Sequence, residues 1–174
     1  MAVELDLLNF LKTRRSIRKF KDKNVEQDIL RKIFETARFA PSAGNRQPWV
    51  FVVVDGEIKN ELSEIHPWAS PLKNAPLGVL VACNRDTSPT SYQVDCANAA
   101  MYIMLAAHAL GLGSVWIQVL RNTLEVKKIV NLPPAYEPIA LIAIGWPDEK
   151  PSPRPRKPVE EIVFYNSYGV YYFK

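Results

Sequence analysis

The stretch Pro41-Ser42-Ala43-Gly44-Asn45-Arg46-Gln47-Pro48-Trp49-Val50-Phe51-Val52-Val53-Val54-Asp55-Gly56 passes from a stop signal through a polar loop into a β-branched run. Pro41 ends a helix, because proline has no N–H to offer and clashes with the preceding turn. That helix is expected from Val25 to Phe39, where apolar Ile29, Ile33, Phe34 and Ala37 recur at helical spacing and Ala40 continues the stripe. Val50 to Val54, closed by Asp55-Gly56, predicts a strand buried on both faces. Working outward, Glu4 to Lys12 reads as a short helix and Leu124 to Asn131 as another. Further strands are expected over Leu77 to Ala82, Ser114 to Ile117, and Ile139 to Ile144, the last closed by Gly145-Trp146-Pro147. Strands interleaved with helices indicate an α/β arrangement in two or three layers.

One segment asks for more cover than a small chain has. From about Tyr92 to Leu110 a helical pattern carries Val94, Ala97, Ala99, Ala100, Met101, Ile103, Met104, Leu105, Ala106, Ala107 and Ala109, apolar on nearly every side. Such a helix needs burial all round, which a second subunit can complete, so a homodimer built around it is expected. Gly111 and Gly113 close the helix. Beyond Pro147 the chain is proline-dense as far as Pro158 and should run extended. The aromatic stretch 159–174 cannot form a core of its own and is expected to pack along the domain or across the partner subunit.

Composition narrows the class. A chain of 174 residues with 48% hydrophobic content can bury about two-thirds of its unfolded surface as one domain, taken as 1–174. No apolar run approaches membrane-spanning length, and the start Met-Ala-Val-Glu-Leu-Asp is acidic where a secretion signal is basic. A soluble cytoplasmic protein without a membrane partner is expected. Cys83 and Cys96 read as small buried apolar residues, with no disulfide framework. His66 and His108 stand without a second ligand at metal spacing, so no metal site is expected. The net charge of +4 is concentrated in Lys12 to Lys23 and Arg154 to Lys157, which favours a discrete anion site. Zinc-finger spacing, RNA-binding aromatics and long basic runs are missing, which argues against nucleic acid.

Two clusters carry the chemistry. Arg14, Ser16 and Arg18 share a face if their segment is extended, and Arg154 and Arg156 do the same around Pro155. Arginine forks hold phosphate by several fixed hydrogen bonds. Pro41 to Trp49 is a rigid Ser/Asn/Gln loop, supplying the mixed donors and acceptors that the edge of a planar heterocycle needs. Gly111-Leu112-Gly113 lacks the third glycine of a dinucleotide fingerprint, and no Gly-rich Lys-Ser/Thr loop occurs, so phosphate must be held by side chains. A phosphorylated, ring-bearing cofactor fits both clusters.

In these residues the chain resembles the FMN-dependent nitroreductase family in its short form, from Leu8 to about Val163. The resemblance is carried by Arg14-Arg15-Ser16-Ile17-Arg18-Lys19-Phe20 and Ala40 to Trp49. Asp95, Ala99-Ala100, Leu110-Gly111-Leu112-Gly113, Ile144-Gly145-Trp146-Pro147 and Arg154 to Glu161 extend it. It implies an α+β fold with a mixed sheet flanked by helices. It also implies an interlocked homodimer holding FMN at the subunit interface, with the C-terminal tail reaching the partner. By the same resemblance Arg14, Ser16 and Arg156 would hold the FMN phosphate, with Arg15 and Arg154 close by. Arg18 would reach the pyrimidine end of the flavin, and Pro41, Ser42, Ala43 and Asn45 would come from the partner chain, with Gln47 also in the cofactor site. Where many members place an acidic residue and a glycine beside the ring, this chain has Trp116-Ile117-Gln118-Val119. Ile117 and Gln118 are expected near the ring, and neutral Gln118 leaves the proton donor unassigned.

The activity implied is ping-pong hydride transfer from NADH or NADPH, through flavin N5, to a small organic acceptor such as a nitroaromatic or quinone. Because the flavin carries the chemistry, no catalytic side chain is assigned. The alternatives are a non-catalytic FMN-binding or sensing protein, or a specialised branch performing dehalogenation or flavin breakdown.

Overall fold

The computed structural model describes residues 2–173; Met1 and Lys174, the ends of the expected domain and tail, lie outside them. In chain order the elements are α1 (Ala2–Thr13), α2 (Gln27–Ala37), β1 (Trp49–Val54), α3 (Gly56–Glu64), α4 (Pro71–Asn74), β2 (Leu77–Asn84), α5 (Tyr92–Ala109), β3 (Gly113–Gln118), α6 (Thr123–Ile129) and β4 (Tyr136–Gly145). The four strands form one sheet in the order β1-β2-β4-β3. All three strand pairs are antiparallel, and the parallel contribution to the sheet is a bridge between Ser16 and Ser114 at the outer edge of β3. The expected α+β class holds.

Alternation along the central strands builds three layers. Val79, Val81 and Cys83 of β2 join Ala140, Ile142 and Ile144 of β4 on one face, packed by α2 and α5. Leu80, Leu141 and Ala143 point to the other face with Val115 and Ile117 of β3, against Leu62 of α3, Leu72 of α4 and Val126 of α6. Both faces are covered, so β2 and β4 read as unbroken apolar runs although the sheet is antiparallel. A register shift between Val81 and Ala82 brings Pro138 opposite Ala82, where a residue without an N–H cannot continue the ladder.

Three expectations need correcting. β1 is an edge strand, not one buried on both faces: most of it is half-buried and Val53 is exposed. A β-branched run does not say whether its strand has a neighbour on each side. Helix α3 and the short α4 occupy 56–64 and 71–74, for which no element was expected, since Asp55-Gly56 reads equally as a turn and as a helix start. Cys83 and Cys96 are fully buried as expected, yet they are bonded to each other, tying β2 to α5. Burial is legible from an apolar neighbourhood; the approach of two particular sulfurs depends on how helix and sheet pack.

Candidate functional site

Segment 14–20 runs along the edge of β3. The Ile17 N–H donates to the Ser114 carbonyl at 3.0 Å, and Ile17 and Phe20 are buried. This anchoring turns Arg14, Ser16 and Arg18 toward the extended segment 151–156. Together with Arg15, Pro151, Ser152, Arg154 and Arg156 they line a cavity of about 150 Å³. The segment that brings Arg154 and Arg156 is secured further back, where Glu149 Oε1 accepts the N–H groups of Arg18 and Lys19, the latter at 3.1 Å, and the Asp148 N–H donates to the Lys19 carbonyl at 2.9 Å. A larger cavity of about 440 Å³ adjoins it, bounded by Arg14, Arg15, Ile17, His108, Gly113 and Pro151 among others.

The five arginines differ in what they bind. Arg15 Nη1 donates to the carbonyls of Lys12 and Arg14, at 2.6 and 2.8 Å, and so closes the C-terminus of α1. Arg156 Nη1 reaches the Pro155 carbonyl at 3.2 Å. Arg14 Nη1, by contrast, is buried with no hydrogen-bond partner. Burial, then the positive charges of Arg15 and Arg156, push the Arg14 pKa below its ordinary value. A guanidinium donor withdrawn from water, crowded by like charges and lacking an acceptor is a place where an anion gains several interactions at once. His108 beside it is pushed below the usual histidine range by burial first and by Arg14 next, outweighing the opposing effect of the Phe10 carbonyl.

The 41–47 loop sits elsewhere. Asn98 Nδ2 donates to the Pro41 carbonyl at 3.1 Å, and the Ala43 N–H donates to Asp95 Oδ1 at 2.9 Å. Both partners are on the N-terminal part of α5, whereas the arginine cavity adjoins His108 near its C-terminal end. At 1.5 Å per residue, Asp95 and His108 are about 20 Å apart along the helix axis. Gly44, Asn45 and Gln47 all have positive φ, and the Gln47 N–H is held by Ser42 Oγ at 3.0 Å. Asn45 and Gln47 are exposed, with Gln47 Nε2 donating to the Asn45 carbonyl at 3.2 Å.

Ile117 and Gln118 occupy a third position, at the far end of β3 from Ser114. Ile117 is part of the core and is buried as a whole residue, backbone included, so the single chain leaves it closed off. Gln118 is exposed, but its Oε1 accepts the N–H groups of Val119 and Leu120 at 3.1 and 3.4 Å, and its carbonyl meets His66 Nε2 at 2.7 Å. The amide nitrogen is the group of that side chain left to face a ligand.

Of the expected residues, the structure therefore gathers Arg14, Arg15, Ser16, Arg18, Arg154 and Arg156 and separates Pro41, Ser42, Ala43, Asn45 and Gln47 from them within one chain. The supporting residues Asp95, Asn98, Glu149 and Ser152 were not singled out for these roles from the sequence. For the first two the signal is an acidic or amide residue in the first turns of an apolar helix, joined for Asp95 by its place among the residues that carry the resemblance. Among the described residues no group of three or more His, Cys, Asp or Glu is placed to hold a metal ion. No described helix is long and apolar enough to cross a membrane.

Comparison with known proteins places these features in one family. The model of the nitroreductase family matches residues 11–86 and 66–146. A protein of Methanothermobacter thermautotrophicus, provisionally named NADH dehydrogenase/NAD(P)H nitroreductase, is 37% identical over 157 residues, covering 87% of this chain and 82% of its own. An NADPH-dependent oxidoreductase of Staphylococcus aureus is 28% identical, covering 92% of this chain and 73% of its own. The solved structure of an FMN-dependent nitroreductase from Clostridium difficile superposes with a TM-score of 0.85 at 35% identity, over 92% of this chain and 99% of that one. Sequence, fold and similarity agree, and the chain belongs to the nitroreductase family.

Proposed function

We propose that the protein is an FMN-dependent oxidoreductase that draws hydride from NADH or NADPH and reduces a small organic acceptor, a nitroaromatic or quinone being representative. The observation that carries this reading is the arginine cavity with its buried, unpartnered Arg14 Nη1. Its size suits a phosphate group and its donors suit a dianion, so the residues fit FMN at the phosphate end. FMN, when bound, supplies the hydride relay at N5, first with the nicotinamide and then with the acceptor in ping-pong order.

The chain's own residues bind and orient. Arg14, Ser16 and Arg156 hold the phosphate, while Arg15 and Arg154 supply positive charge beside it. Arg18 lies one alternation further along the segment and offers a fixed positive charge to the pyrimidine end, where a guanidinium stabilises negative charge as it develops. The amide nitrogen of exposed Gln118 borders the ring, with buried Ile117 next to it in β3. Loop residues 41–47 of one subunit complete the site of the other. That division follows from α5: clusters about 20 Å apart in one chain come together when two such helices pack antiparallel about a two-fold axis. The reading takes residues 1–174 as one domain, with 159–174 packed on the partner.

An absorption spectrum of the purified protein, followed by acid release and chromatography of any yellow compound, tests the cofactor. FMN near one per chain, with steady NAD(P)H oxidation in the presence of a quinone or nitroaromatic, is the expected result. A colourless protein that takes up no added FMN overturns the reading.

A further inference from the structure

The 41–48 loop is unusually constrained for an exposed connector. It carries three residues in the left-handed region, Gly44, Asn45 and Gln47, with φ of 58°, 54° and 47°. Glycine adopts that region freely and asparagine readily, but glutamine does so at a cost, and such backbone persists where its surroundings over-determine it. Here those surroundings are three anchors: Asn98 on Pro41, Asp95 on Ala43, and the Asn84 N–H on the Pro48 carbonyl at 2.9 Å.

Asp95 is the central anchor and is itself fixed. It is 2% exposed, and Ser88, 1% exposed, donates its hydroxyl to the second carboxylate oxygen at 2.7 Å. Its neighbour Cys96 is bonded to Cys83, the residue preceding Asn84. The disulfide thus joins the backbone beside one loop anchor to the backbone beside another. A carboxylate accepting two hydrogen bonds in a buried setting is costly to leave half-paired, so the loop and Ser88 are bound to the same group.

We propose that Asp95 is a positioning residue for the cofactor site: by holding the Ala43 N–H it fixes the 42–47 loop in the shape that meets FMN. The proposal rests on the reading of the protein as an FMN enzyme, and on that reading the loop serves the partner's flavin.

The test compares Asp95→Ala with Asp95→Asn in the full chain, reading hydrogen exchange at the Ala43 amide without flavin and the Kd for FMN by fluorescence titration. Asparagine keeps an oxygen for Ala43 and a polar group for Ser88; alanine keeps neither. Asp95→Ala is expected to speed exchange at Ala43 and to weaken FMN binding roughly tenfold, the scale of one buried hydrogen bond left unmade. Asp95→Asn should restore most of both. If Asp95→Ala does not fold, Ser88→Ala removes only the second hydrogen bond and should shift both readouts in the same direction by less. Unchanged Ala43 exchange in the alanine variant, or an unchanged Kd despite faster exchange, overturns the proposal. A wild-type protein that binds no FMN overturns the underlying reading instead, and Ala43 exchange then still reports whether Asp95 holds the loop.

Discussion

Arg14 joins three properties that seldom coincide in a side chain: partial burial, like-charged neighbours and a donor nitrogen with nothing to bind. In the free protein these features destabilise, and they become favourable when an anion arrives. Arg14→Ala should therefore weaken FMN binding about ten- to a hundredfold by titration while leaving the thermal midpoint of the flavin-free protein unchanged or raised. Arg14→Lys should rescue little, because a point charge cannot reproduce the planar fork. His108 gives a second prediction at this scale. Its folded pKa lies below the ordinary 6.5, so between those two values the unfolded chain binds the extra proton and the folded one does not. The stability difference is fully present above pH 6.5 and is lost progressively as the pH falls through the folded pKa. Melting from pH 7.5 to 5 should show the midpoint falling, and His108→Asn should fall less steeply; parallel slopes would refute the assignment.

Among the elements, the edge of β3 decides whether the arginines converge at all. Gly113 faces Ile17 so closely that a Cβ there would stand 2.8 Å from three atoms of its side chain. Ile17 in turn carries Ser16 and Arg14, so the missing side chain of one glycine sets how near the phosphate-binding segment lies to the sheet. Gly113→Ala should cost about 1–3 kcal/mol by overpacking. It should lower the melting temperature by roughly 2–12 °C and weaken FMN binding as segment 14–18 moves outward. Normal FMN affinity in this variant would show that the segment is positioned from elsewhere. Helix α5 works at the same scale: its alanines allow α2 and the sheet to pack closely, while its two ends serve different clusters.

For the whole molecule, the apolar surface left uncovered is the telling quantity. Leu7, Leu8 and Leu11 of α1, Val94 and Met101 of α5, and Val159, Ile162, Tyr165, Tyr168, Tyr171, Tyr172 and Phe173 of the tail are all exposed in the single chain. Among the described residues, the tail folds on itself through a bridge between Phe164 and Tyr171 and a series of ring contacts. Large apolar side chains exposed on α1, α5 and the tail together suit cover by a partner's surface. Sedimentation at micromolar concentration should return twice the chain mass of 19.7 kDa. Truncation after Pro158 should shift the protein toward monomer and reduce bound flavin, although every phosphate-binding arginine is retained. A monomeric full-length protein with full FMN occupancy would sink the shared-site reading.

Much of this is legible in the amino-acid sequence itself. Helical spacing marks α2, an all-round apolar stretch marks α5, and short apolar runs mark β2, β3 and β4, because burial in a layered fold demands those patterns locally. The alternation of Arg14, Ser16 and Arg18, and of Arg154 and Arg156, already put guanidinium groups on common faces, since extended backbone has a period of two. Other facts needed the tertiary structure because they depend on distances between segments remote in sequence. Periodicity could not tell that β1 is an edge, that Cys83 meets Cys96, or that Asp95 grips Ala43 from across the fold. Nor could it tell that the two clusters lie at opposite ends of one helix. Local sequence determined which residues are suited to an anion and a ring; the packing of helix against sheet decided which of them one chain can bring together.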